Sequence, residues 1–309
     1  TMENTRAKTT RNSLILLLTA TIWGMAFVSQ SKGMDYMHPF TFNGVRSLIG
    51  AAGILVYILI SRKIAGDKAA KLDWKLNVRA GLLCGIFLTI ASTLQQFGIK
   101  YTSVGKAGFI TTLYIIFVPM FGVFLKKKVA PVVWAAAGMA AVGMYLLCMT
   151  ESLRLGAGDI MVFLCAIAFA IQIMTVDHYA ARIDGAVVSC IQFTVCGVVC
   201  CIGALIWGQP TFGQIQEGLG ALLYAGVLSC GVGYTLQIVG QKGLNPTVAA
   251  LIMSLESVIA TISGWIAYKI GFLSTDQTLT PRQIAGCVIV FAAVILVQLP
   301  PEWFRLGKK

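Results

Sequence analysis

Charge is scarce in this 309-residue chain: only 12% of residues are Asp, Glu, Lys or Arg, and only 12 are acids. A soluble domain carries about twice that share. With 57% hydrophobic residues and a mean hydropathy of +0.81, the chain reads as an integral membrane protein. Histidine is nearly absent, with only His38 and His178, both between apolar runs. The nine cysteines all lie inside apolar runs and none has C-x-x-C spacing. That argues against a metal site or a disulfide framework, so no metal and no cofactor is expected. Also missing are G-x-S-x-G, H-E-x-x-H and a Walker loop, and with them the usual routes to hydrolysis or ATP-driven work. The chain is not expected to be an enzyme.

What is present is a series of apolar runs long enough to cross a bilayer. Ten spans are expected, near 13–31, 40–61, 78–98, 104–125, 131–149, 158–177, 185–207, 218–241, 246–270 and 282–299. Pro39, Pro131, Pro246 and Pro281 stand at expected helix starts, where proline is tolerated because its missing N–H would have no partner. The first run is not followed by a small-residue cleavage site, so it is expected to remain as a span.

The net charge of +12 comes mostly from short connections. In this context it points to topology and to anionic lipid headgroups rather than nucleic acid. Seventeen Lys and Arg fall on the N-terminal side of the expected spans and six on the other, with Arg46 inside a span. The positive-inside rule then places both termini in the cytoplasm.

Residues 93–113 align without gaps to residues 235–255, matching Thr93/Thr235, Gln95/Gln237, Gly98/Gly240, Lys100/Lys242 and Ala107/Ala249. Span three thereby falls on span eight, and span four on span nine. The unit is five spans, and an odd number of crossings inverts the second copy. The expected fold is all-α: ten transmembrane helices as two inverted five-helix repeats, 1–153 and 154–309. Inverted repeats meeting at the midplane are the build of secondary transporters, with the substrate site between them.

The residues that carry the reading are polar groups inside spans. Glu256 is ten residues past Pro246, about 15 Å along the helix and so near the bilayer midplane. Intramembrane acids mark function by default. Glu256 is therefore a proton carrier or a site for a cationic group; the alternative is a structural carboxylate, protonated or paired with Arg46. Arg46 lies seven residues past Pro39. Its planar fork would suit a substrate carboxylate, unless it snorkels to the interface. Tyr234, Gln237 and Gln241 share one helical face, with Ser92 and Gln95 at the matching places in span three. Such amides either line a polar cavity or bond neighbouring helices. Gln172 and Gln192 are further instances. Trp23 and Tyr114 sit within spans and either stack on a substrate or pack. Gly81 and Gly85 offer a close-packing face.

The motifs Ile22-Trp23-Gly24, Arg46, Gly98-x-x-Tyr101-Thr102-Ser103 leading through Ala107 to Phe117-Val118-Pro119, and Gly240-x-x-Gly243-Leu244-Asn245-Pro246 followed by Ser254-Leu255-Glu256-Ser257-Val258, with Gly138 and Gly286, resemble the EamA-type members of the drug/metabolite transporter superfamily. The resemblance covers nearly the whole chain. It departs from the family at Ser257, where a proline is usual, and at Lys126-Lys127-Lys128, where an acid often follows span four. It implies a multi-pass protein of the bacterial cytoplasmic membrane that exports amino acids, related metabolites or cationic drugs by alternating access. It also implies a cavity lined by spans one, three, four, six, eight and nine, with spans five and ten peripheral. The expected substrate-binding set is Trp23, Arg46, Gln95, Tyr114, Gln172, Tyr234, Gln237 and Glu256. The expected partners are a small-molecule substrate, protons and membrane lipids, and the expected state is a monomer or weak homodimer. An uncoupled facilitator and a non-transporting scaffold or receptor remain as alternatives.

Overall fold

The structure, a computed structural model, describes residues 2–66, 72–126, 129–148, 156–274 and 276–298. It is helical, with no strand among those residues. The long elements are α1 (Met2–Gly33), α2 (Pro39–Ala65), α3 (Trp74–Ile99), α6 (Pro131–Cys148), α7 (Ala157–Tyr179), α8 (Gly185–Gly203) and α14 (Pro281–Gln298). Two expected spans are each broken in two: α4 (Val104–Thr112) with α5 (Tyr114–Phe124), and α12 (Pro246–Met253) with α13 (Glu256–Lys269). Among the described residues eight continuous stretches are long and apolar enough to cross a membrane, and Pro131–Gly143 and Pro281–Leu296 are shorter apolar helices. Helix ends follow local chemistry. His38, Asp73, Ser103, Asp184 and Asn245 each accept a backbone N–H at the first turn of α2, α3, α4, α8 and α12, and Pro39 and Pro246 follow their caps.

Three local features were not expected from the sequence. A short helix α9 (Phe212–Glu217) joins α8 to the next span. That span runs from α10 (Leu219–Leu223) through a wide π-helical segment, Tyr224–Gly233, into α11 (Tyr234–Gln241). At the breaks the backbone tightens into i→i+3 bonds, Leu113 N–H to Ile110 O and Leu255 N–H to Ile252 O, as short 3₁₀ turns do. A hydroxyl bonds back over each break, Thr112 to Phe109 O at 2.9 Å and Ser254 to Leu251 O at 2.7 Å, which bends helices.

Small residues let the helices close around the centre. Gly98 of α3 and Gly158 of α7 face each other: a Cβ on Gly98 would stand 2.8 Å from Gly158 O. Gly24 of α1 is pressed in the same way on α13. The Gly81 and Gly85 face packs on α8, against Ile191 and Val195. In a bilayer, where lipid is as apolar as leucine, this close contact holds helices together. Helices α6 and α14 pack mainly on each other, Gly143 meeting Gly286 O.

Candidate functional site

One polar cavity lies between the helices. It is lined from α1 by Trp23, Phe27 and Gln30, from α2 by Asn43 and Arg46, and from α3 by Ser92 and Gln95. Thr111 of α4 and Tyr114 of α5 close one side, Phe169 and Gln172 of α7 another, and Ser229, Cys230, Tyr234, Gln237 and Glu256 complete it. All eight residues named from the sequence as the substrate-binding set therefore reach one space. It is contracted: about 30 Å³ is open to water-sized molecules, room for about two waters. Gln241, which shares a helical face with Gln237, donates instead to Ile173 O at 3.2 Å and ties α11 to α7.

Glu256 opens α13 just past the break and is 3% exposed. Its Oε1 accepts the Tyr114 hydroxyl at 2.9 Å. Tyr114 opens α5 just past the other break. The offset that aligns 93–113 with 235–255 carries Tyr114 onto Glu256, so this hydrogen bond joins positions that correspond in the two halves.

Arg46 is 5% exposed, so it does not snorkel to the interface. Its Nε donates to Asn43 Oδ1 at 2.9 Å, and the guanidinium stands 5.5 Å from the Phe42 ring centre. Arg46 and Glu256 are not an ion pair either. Among the described residues the ion pairs are Lys32–Asp35 and Lys106–Asp159. Tyr234 lines the same cavity as Arg46 and Glu256. Its ring tilts against Trp23 at 4.5 Å and meets Phe193 edge-on at 5.0 Å. Trp23 Nε1 donates to Ser229 O at 3.4 Å, a carbonyl of the π-helical segment. Wide turns of this kind recur at functional sites.

The amides divide into two groups. Gln172 and Gln237 exchange hydrogen bonds, Gln237 Nε2 to Gln172 Oε1 at 3.1 Å and Gln172 Nε2 to Gln237 Oε1 at 3.4 Å, with Gln192 Oε1 also accepting from Gln172. Toward the other end, Gln95 Nε2 donates to Thr111 Oγ1 at 3.2 Å. There the side-chain carbonyl of Gln30 is buried with no partner among the described residues. Sequence reasoning did not single out Gln30, Asn43 or Phe27. The signal for Phe27 and Gln30 was available in their spacing from Trp23, four and seven residues on respectively, which is one face of α1.

A bundle of apolar, partly broken helices around a charged and amide-lined cavity defines a polytopic membrane protein of the transporter kind. The EamA-like transporter family model matches residues 11–149 and again residues 156–299. The chain belongs to the EamA-like transporter family. Among curated proteins it is similar to an uncharacterized transporter of Archaeoglobus fulgidus, 28% identical over 92% of this chain and 84% of that one. It is also similar to the uncharacterized transporter YwfM of Bacillus subtilis, 24% identical over 94% of each chain. A solved crystal structure matches the fold with a TM-score of 0.73 at 16% identity, covering 96% of this chain and 99% of the other.

Proposed function

We propose that this transporter exports small zwitterionic metabolites, amino acids foremost, by alternating access between two inverted copies of a five-helix unit. The observation that carries the proposal is a guanidinium and a carboxyl group set in one cavity. Arg46 and Glu256 are both buried and line it, yet neither has the other as partner. Keeping them apart forgoes the direct pairing that a purely structural role would favour. A ligand with a carboxylate for the Arg46 fork and an ammonium for Glu256 would satisfy both. The amides and the Trp23–Tyr234–Phe193 wall would hold the remainder.

The inverted arrangement is supported by the double family match and by the packing. Helix α4 lies on α13 as α5 lies on α12, and α3 lies on α7 as α11 lies on α1. Positive-inside counting supports cytoplasmic termini, and the proposed location is a bacterial cytoplasmic membrane. The contracted cavity fits the occluded stage of such a cycle, and its charged lining argues against a purely structural scaffold.

Substrate transport in proteoliposomes tests the reading. Glu256→Gln is expected to lower zwitterion transport severely while the protein still folds, and wild-type rates in that variant would reject the assignment. An imposed pH gradient separates proton-coupled export, in which Glu256 carries the proton, from uncoupled facilitation, in which accumulation ignores the gradient.

A further inference from the structure

The two broken helices are held differently at their outer ends. Lys106 lies in the first turn of α4, and its ammonium reaches the Asp159 carboxylate of α7 at 2.6 Å. Asp159 is 4% exposed and fully engaged: Thr102 Oγ1 donates to it at 2.9 Å and Gly156 N at 2.9 Å. A charge-assisted bond of this length in so little water is strong. The start of α4 is thereby pinned to the start of α7, where Gly98 and Gly158 already bring α3 and α7 into backbone contact.

The corresponding position in α12 is Val248, by the same offset that pairs Tyr114 with Glu256. It is apolar and packs without an ion pair. Among the described residues the turn before α12 carries no ion pair and is held by hydrogen bonds. Asn12 Nδ2 donates to Lys242 O at 2.7 Å, and Lys242 Nζ to Ile183 O at 3.2 Å. Each half-helix ends at a tightened turn beside the cavity, so each is a short lever with its hinge at Leu113 or at Ser254–Leu255. Along α4 the face toward α13 is small: Gly108 meets Ala260 and Gly105 meets Thr261.

We infer that α4 and α12 are the gates at the two mouths of the cavity, and that the Lys106–Asp159 pair latches the α4 gate shut, so the α12 gate opens first. With the topology proposed above, the latched mouth is the outer one and the resting protein opens to the cytoplasm. The use of the gates rests on the alternating-access reading; the latch itself does not.

The test is hydrogen exchange by mass spectrometry on the full chain in lipid nanodiscs, without substrate. In the wild type, amides of 246–253 are expected to exchange faster than those of 104–112. Asp159→Asn is expected to speed exchange in 104–112 about tenfold, leaving 246–253 within about twofold. Lys106→Met gives the same result while keeping the Thr102 and Gly156 bonds of Asp159, and covers the case in which Asp159→Asn does not fold. Unchanged exchange in 104–112, a rise spread equally over α3, α7 and α12, or slower exchange in α12 than in α4 of the wild type would overturn the latch. Failure to transport any zwitterion would instead count against the proposed function and leave this result standing.

Discussion

Gly24 offers the sharpest way to move the site without touching it. A Cβ at this position would stand 2.8 Å from the Glu256 carbonyl oxygen and 2.7 Å from Ile259 Cγ2. Ordinary contacts need about 3.5 Å, so Gly24→Ala must part α1 from α13 by roughly 0.5–1 Å. The neighbour that moves is the first turn of α13, which carries Glu256. Overpacking of this kind costs about 1–3 kcal/mol. Replacing a mid-helix glycine by alanine returns up to about 1 kcal/mol, leaving a net loss near 1–2 kcal/mol. Thermal unfolding in detergent should fall by a few degrees. The carboxylate also shifts against its ligand. Losing about half of a charge-assisted bond of roughly 1.5–3 kcal/mol weakens zwitterion binding by about three- to tenfold. Gly53→Ala and Gly138→Ala, where nothing lies within 4 Å of the added carbon, are the controls and should keep wild-type affinity and melt at or slightly above the wild-type temperature. An unaltered melting point and affinity in Gly24→Ala, or equal losses in the controls, would refute the reasoning.

Arg46→Lys keeps the charge and removes the fork, so affinity for carboxylate-bearing ligands should drop about tenfold or more, with ligands lacking a carboxylate unaffected; competition binding measures both. Gln237→Leu should destabilise by about 1–3 kcal/mol because Gln172 then keeps buried polar atoms half-paired, and the double change with Gln172→Leu should cost less than the two singles together, as a double-mutant cycle in thermal unfolding would show. His38 caps α2 through a ring nitrogen that accepts the Phe40 N–H. Burial first, and then nearby Lys100, hold its pKa below the ordinary value. The folded protein thus prefers neutral imidazole, and this contribution is complete above about pH 6.5. It is lost as pH falls from there toward the lower folded value. His38→Asn, a cap that does not titrate, should flatten the unfolding profile over that window.

The spans, their proline starts and the lone midplane acid were legible because bilayer thickness imposes long apolar runs and makes each interruption conspicuous. Observed helix limits fall close to the expected ones, as with Ala157–Tyr179 against 158–177. The breaks at Leu113 and Ser254–Leu255 were not legible. A 3₁₀ turn within an apolar run leaves hydropathy and helical spacing almost unchanged, and Thr112 and Ser254 look like ordinary small helix residues. The π-helical segment was hidden for the same reason. Convergence of the polar residues on one cavity followed from helical faces and matched offsets. Their pairing did not, since sequence says nothing of which glutamine meets which: Gln172 meets Gln237, whereas Gln241 turns to a backbone carbonyl. Glu256 was weighed as a partner of Arg46, and the structure gives it Tyr114 instead, because position 114 corresponds to 256 in the other half.

The narrowness of the central cavity bears on how a solute gets in. Space for a pair of waters, beside Gln172 and Gln237 bonded to each other, is too small for any metabolite, so a guest has to displace the lining before it can seat.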